Sequence, residues 1–326
     1  MAADGGTRAV VAALFANLGI AITKFIAFFL TGFSSMLAEA IHSVADSGNQ
    51  VLLLFGGKQA KKEATEEHPF GYGRERYIYS FIVSIVLFSV GGLFALYEAY
   101  HKYHEVSSGH AEIVADWRRF VPIVVLVVAI VLESLSFRTA IHEASKVKGQ
   151  SSFLQFIRRA KSPELPVILL EDFAALIGLV FALIGVGLSL VTGNQYWDVA
   201  GTTAIGLLLV AVAIVLALET KSLLLGESAS PEARARIQAA IEGTEDIDGI
   251  IHMKTLHLGP EELLVAVKVG VQRDARAADV AAAIDAAERA IRQAEPTARA
   301  VYVEPDIYVE GHVTDERPEP PTPVSH

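Results

Sequence analysis

Cysteine is absent from all 326 residues, which excludes disulfides and thiolate metal sites. Any metal this chain binds must be held by imidazole, carboxylate, amide or water. Charge is scarce too: Asp, Glu, Lys and Arg make up 20% of the chain against 52% hydrophobic residues, and the formal net charge is −10. An acidic chain lacks the basic face that phosphate backbones need, so nucleic acid is excluded as a partner. The sequence has no His-Glu-x-x-His run, no Gly-x-Ser-x-Gly turn and no ATP-binding glycine loop. No enzyme is expected, and any work against a gradient must draw on another gradient.

What is there is concentrated apolar sequence ahead of about residue 225, followed by a stretch composed like an ordinary soluble domain. A bilayer core takes about 20 apolar residues per helix. Blocks at 8–30, 34–57, 76–100, 119–141, 166–191 and 197–224 meet that length and predict a helical membrane domain of six spans. The first block begins at Val10, is too long for a cleaved signal peptide, and is expected to be retained.

Lys58, Lys61, Lys62, Arg74 and Arg76 join the second and third blocks, and Arg138, Lys146, Lys148, Arg158, Arg159 and Lys161 join the fourth and fifth. The third-to-fourth connection carries only Lys102, Arg118 and Arg119, and the two short connections carry none. That bias puts the two basic loops and both termini in the cytoplasm of a multi-pass protein, in the cell membrane by expectation. Trp117, Tyr196 and Trp197 fall at the opposite interface, where an aromatic belt sits. The stretch containing Phe153, Leu154, Phe156 and Ile157 reads either as a short interfacial helix or as a solvated linker.

From Ser230-Pro231, a helix start with a capping hydroxyl and a first-turn proline, the pattern changes. A helix, strands at 250–258 and 263–271, a helix at 277–293 and a strand at 299–303 predict a ferredoxin-like αββαβ sandwich. The expected domains are a transport domain over 1–226, a cytoplasmic α/β domain over 227–312 and a disordered, proline-rich tail over 313–326.

Ionisable residues inside a membrane mark a site by default. In the second block His42 and Asp46 lie one helical turn apart on one face, and Asn49 continues that face. Imidazole plus carboxylate suits Zn²⁺ and, less exclusively, Mn²⁺, Fe²⁺ or Co²⁺, although a buried His–Asp hydrogen bond joining helices has the same spacing. Glu171 and Asp172 lie deep in the fifth block and project about 100° apart, so one is expected to face the site and the other a neighbouring helix or cavity. Asn17, Lys24, Glu133 and Glu219 are expected to pair with one another, with Lys24 and Glu219 snorkelling to a cytoplasmic boundary. Asp198 opens the sixth block and is read as a dipole partner of its own helix. His101, His104 and His110 read as a solvated loop, and His252 and His257 as facing different sides of a strand.

These residues resemble the cation diffusion facilitators, proton-coupled exporters of zinc and manganese. The resemblance runs from the first span to about Ile307 and rests on His42-x-x-x-Asp46, Asp172, Asn17, Lys24, the appended α/β domain and the loop run His68-Pro69-Phe70-Gly71-Tyr72-Gly73-Arg74-Glu75. The wording around Leu169–Ala175 is similar to the branch of the mitochondrial ninth zinc transporter of animals. The resemblance implies a secondary transporter that exports a divalent cation, zinc first, in exchange for protons, and that works as a homodimer in the lipid bilayer. It implies His42, Asp46 and Asp172 as ligands, with Glu171, Asn49 or water as the fourth. Two positions depart from the family pattern: Ile168 stands where most members carry a further ligand, and Tyr72 where the loop usually has a second His. In the last strand, Glu304 and Asp306 sit where ligands are common in the family. A membrane-anchored metal sensor or scaffold that binds without transporting is the alternative.

Overall fold

A left-handed glycine, Gly32 at φ +68°, lets the chain reverse between its first two helices, α1 (Ala2–Thr31) and α2 (Ser34–Gln59). The computed structural model describes residues 2–109, 117–149 and 151–307, and for residues 2–16 and Arg119 the backbone alone. The chain divides into two compact units, Met1–Ala60 with Glu75–Lys221, and Lys61–Arg74 with Ser222–His326.

In the first unit a continuous helical rod, Glu75–Ser107, consists of α3 (Glu75–Val86), a π-helical segment (Leu87–Leu93) and α4 (Phe94–Ser107). A 3₁₀ turn, Trp117–Phe120, leads into α5 (Val121–Val147), followed by the short α6 (Phe153–Arg159), α7 (Glu164–Thr192) and α8 (Tyr196–Leu225). Among the described residues, the rod, α5, α7 and α8 are long and apolar enough to cross a bilayer, and Asn17–Thr31 is a shorter apolar stretch of α1. α2 falls short because its buried face is polar, carrying Glu39, His42, Ser43, Ser47 and Asn49. The outward faces are apolar instead, with Phe29 78% and Val191 86% exposed, as a lipid-facing surface requires. The protein is a multi-pass integral membrane protein.

α2 is the hub of this unit, packed by α1, by α3, by the π segment and α4, and by α7. Small residues permit the closest approaches: a Cβ at Gly185 of α7 would lie 2.9 Å from the Trp197 carbonyl and 3.3 Å from Gly201 Cα of α8. The residues around Phe153 form a helix, capped by a Ser152–Gln155 box. Phe156 anchors it among Ala140, Ala144 and Leu169 while Leu154 stays exposed.

In the second unit the order is α9 (Pro231–Glu242), β1 (Gly249–Gly259), β2 (Glu262–Val271), α10 (Ala277–Ala294) and β3 (Ala298–Ile307). The Ser230 hydroxyl caps α9 by accepting from the Ala233 amide. β2 is central, antiparallel to β1 and parallel to β3. Its alternating Leu263, Val265, Val267 and Val269 are buried against Ile237, Ile241 and Ile291 of the two helices. Period-two burial on one sheet face explains why the αββαβ pattern is readable here. The proposed tail over 313–326 and His110 lie outside the described residues.

Candidate metal centre

The site is built along one stripe of α2. Positions 39, 42, 46 and 49 follow the i, i+3, i+7, i+10 spacing that keeps side chains on one helical face. α7 packs against α2 and presents positions 171 and 178, seven residues apart and so on one face of its own. Two contacts fix the pairing. Asn49 Nδ2 donates to Glu171 Oε1 at 2.7 Å, and Glu39 Oε1 lies where a Cβ on Gly178 would be 2.8 Å away. The helices therefore run antiparallel, and His42 and Asp46 fall between these contacts, where α7 supplies the buried Ala174 and Ala175.

His42 is buried at 1% exposure, with Nδ1 3.5 Å from Asp46 Oδ1. Neither imidazole nitrogen is hydrogen-bonded, nor are Asp46 Oδ1, Asn49 Oδ1 or Gln50 Oε1. Such buried polar atoms cost free energy unless something else satisfies them. The donor set of imidazole, carboxylate and amide oxygen suits a divalent transition-metal ion. Gly91 of the π segment borders the same place, since a Cβ there would lie 3.9 Å from His42 Nδ1. π segments recur at functional sites, and the sequence gives no sign of this one.

Glu171 and Asp172 part company, as their 100° separation requires. Glu171, 4% exposed, faces α2 through Asn49. Asp172 is turned toward α5, where the Ser136 hydroxyl donates to its Oδ2 at 3.1 Å. The structure thus brings His42 and Asp46 together, and Asn49 and Glu171 together, and leaves Asp172 on the next face of α7. Among the described residues, no three His, Asp or Glu side chains converge on one point as a finished metal site.

Lys24 does not snorkel. It is 3% exposed and donates to Glu39 Oε2 at 2.9 Å and to Ser43 Oγ at 2.7 Å. Glu39, fully buried, is the residue that reading the sequence passes over, although a carboxylate three residues before His42 and seven before Asp46 is a legible signal. Asp198 serves a helix other than its own. Its carboxylate accepts from the amides and hydroxyls of Ser34 and Ser35, and so caps α2, whose own N-cap Phe33 has no side-chain acceptor.

The other candidate positions are occupied by protein partners. Lys268 pairs with Glu304 at 3.0 Å and Asp306 at 3.2 Å, and these two carboxylates hold its ammonium above the ordinary lysine range. The His68 ring packs edge-on against Tyr72 at 4.8 Å, and His104 packs edge-on against Tyr100 at 4.7 Å.

Residues 10–225 match the family model described as the cation efflux transmembrane domain. The chain is 31% identical over 258 residues to the mitochondrial proton-coupled zinc antiporter SLC30A9 of Xenopus laevis, covering 78% of this chain and 44% of that protein. It is 27% identical to metal tolerance protein C4 of Arabidopsis thaliana, covering 78% of this chain and 54% of the relative. It is 25% identical to the magnetosome protein MamB of a Magnetospira species, covering 89% and 92%. The chain thus spans less than half the length of the zinc antiporter it matches, and nearly all of the magnetosome protein. By the match over its membrane domain, and not by any enzymatic feature, this chain belongs to the cation efflux family.

Proposed function

We propose that the protein exports a divalent transition-metal cation, zinc first, in exchange for protons, and that the exchange takes place at the α2 stripe. The observation that carries this reading is the set of buried donors left without hydrogen bonds on one face of α2: both His42 nitrogens, Asp46 Oδ1 and Asn49 Oδ1. A metal requires neutral imidazole and ionised carboxylate, so protons and metal compete for the same atoms and one gradient can drive the other. His42 and Asp46 form the core of the site, and Glu171 joins them from α7 by releasing Asn49. Asp172 supports that helix from the α5 side. Binding by three or four donors needs α7 to move against α2, which couples occupancy to a change in helix packing. The loop charges support entry from the cytoplasm, with both termini on that side. The second unit, its acidic pair tied to Lys268, is read as a homodimerisation domain.

Proteoliposomes containing a zinc-sensitive dye test this reading. Zinc flux should rise with an imposed pH step and collapse when a protonophore removes it. Saturable zinc binding with no flux under any gradient would favour a membrane-anchored sensor instead.

A further inference from the structure

Glu39 of the Lys24–Glu39 pair lies on the same α2 stripe as His42 and Asp46, and the exchange proposed above gives the pair no role. Three features make it more than a clamp between α1 and α2. Glu39 shares the face of His42 and Asp46, about 10 Å along the helix from Asp46 at 1.5 Å per residue, toward the α1–α2 turn. Its carboxylate is divided: Oε2 is held by Lys24, while Oε1 is fully buried, has no hydrogen-bond partner and points into the α2–α7 seam. The α7 residue facing it is Gly178, and a side chain there would run into Oε1. Beyond it, at the start of α2, the buried Asp198 faces Ser34 and Ser35. Acidic groups thus recur beside α2, from Glu171 of α7 to Asp198 of α8, and of these Glu39 alone presents an unpartnered oxygen on the α1–α2 turn side of His42.

We propose that Glu39 is a transit ligand for the divalent cation, taking it on the way between the His42–Asp46 site and the α1–α2 turn. Lys24, a fixed positive charge 2.9 Å from the carboxylate, keeps that hold weak so that the ion moves on. The proposal rests on the transport reading given above. A single carboxylate shared with a lysine cannot compete with the donors of the main site, so Glu39 governs rate rather than affinity.

The test uses full-length protein, zinc titrated calorimetrically in detergent, and zinc flux in proteoliposomes. Glu39→Gln should bind zinc within threefold of wild type while its maximal flux falls at least tenfold. The double variant Lys24→Gln/Glu39→Gln removes both charges, avoids an unpaired buried ion and should show the same loss, with its melting temperature reporting the fold. The swap Lys24→Glu/Glu39→Lys keeps the ion pair but moves the carboxylate to α1, and flux should stay low. Three results would overturn the proposal: wild-type flux in the double variant, flux restored by the swap, or loss of zinc binding in Glu39→Gln. The second would make the pair a structural clamp, and the third would place Glu39 in the main site. If wild-type protein binds zinc but moves none, the transport reading itself fails, and that outcome is distinct from all of these.

Discussion

The membrane unit and the α/β unit place their polar groups differently. In the α/β unit the ion pairs lie toward solvent and are matched: Lys268 takes the exposed Glu304 and Asp306, and the exposed Arg236 takes the buried Glu295, which Thr297 also reaches with its hydroxyl. His252 Nδ1 is the one unmatched buried side-chain atom described there. On α2, polar atoms are unmatched in a continuous row where hydrocarbon and close packing make them most costly. A protein tolerates that cost where a ligand relieves it. The contrast is what the proposed exchange requires of α2, and it leaves the α/β unit to the scaffold role proposed for it.

The sharpest way to break the contrast is to neutralise the two adjacent acids separately. Glu171→Gln should nearly abolish zinc transport, because Glu171 faces α2. Asp172→Asn should lower zinc affinity by about 10–100-fold, the range for groups that orient a ligand from behind. Binding and flux on both variants between pH 6 and 8 decide it. Abolition by Asp172→Asn with a mild Glu171→Gln would mean that α7 turns in the working protein and that the family ligand position holds.

A smaller effect is expected at His42. Replacing imidazole by carboxylate hardens the site, so His42→Asp should move preference from Zn²⁺ toward Mn²⁺. Competition between the two ions in the flux assay measures it, and unchanged selectivity would remove His42 from the metal's ligands.

Asp198→Ala strips α2 of the acceptor for its first amides. The loss should be about 1–3 kcal/mol, the cost of leaving buried donors unsatisfied, read as a lower melting temperature of the purified protein. Zinc affinity should fall only to the extent that α2 frays.

The smallest effect belongs to the scaffold. Burial alone would raise the Glu295 carboxyl, but the Thr297 hydroxyl and Arg236 together bring it below its ordinary value. A depressed carboxyl stabilises the fold at neutral pH, and that contribution is lost as pH falls through the folded value. Glu295→Gln should therefore blunt the acid sensitivity of α9 and β3, seen by hydrogen exchange in the full-length protein between pH 6 and 3.

Much of this was legible in the residues. Apolar block length gave the helices, and period-two burial in β2 gave the sheet. The spacing of His42, Asp46 and Asn49 gave the polar face of α2 on which the candidate site is built. The rotation of α7 was not legible, because adjacent acids on an apolar helix differ by 100° and only packing decides which one faces inward. Gly178 and Gly185 settle that packing through what their missing side chains admit, Glu39 on one side and α8 on the other. Likewise the role of Asp198 depends on a helix more than 160 residues earlier in the chain, and its own flanking sequence gives no hint of it. The π segment beside His42 was not read from the sequence either, although it contains the Gly91-Gly92 pair.

The central claim is that the unmatched row on α2 exchanges zinc for protons. Zinc titrated into weakly buffered, detergent-solubilised protein, with a pH dye reading released protons, tests it directly. The account predicts proton release that tracks zinc occupancy in the wild type and disappears, together with high-affinity binding, in His42→Ala and Asp46→Asn. Wild-type affinity and undiminished proton release in both variants would contradict it.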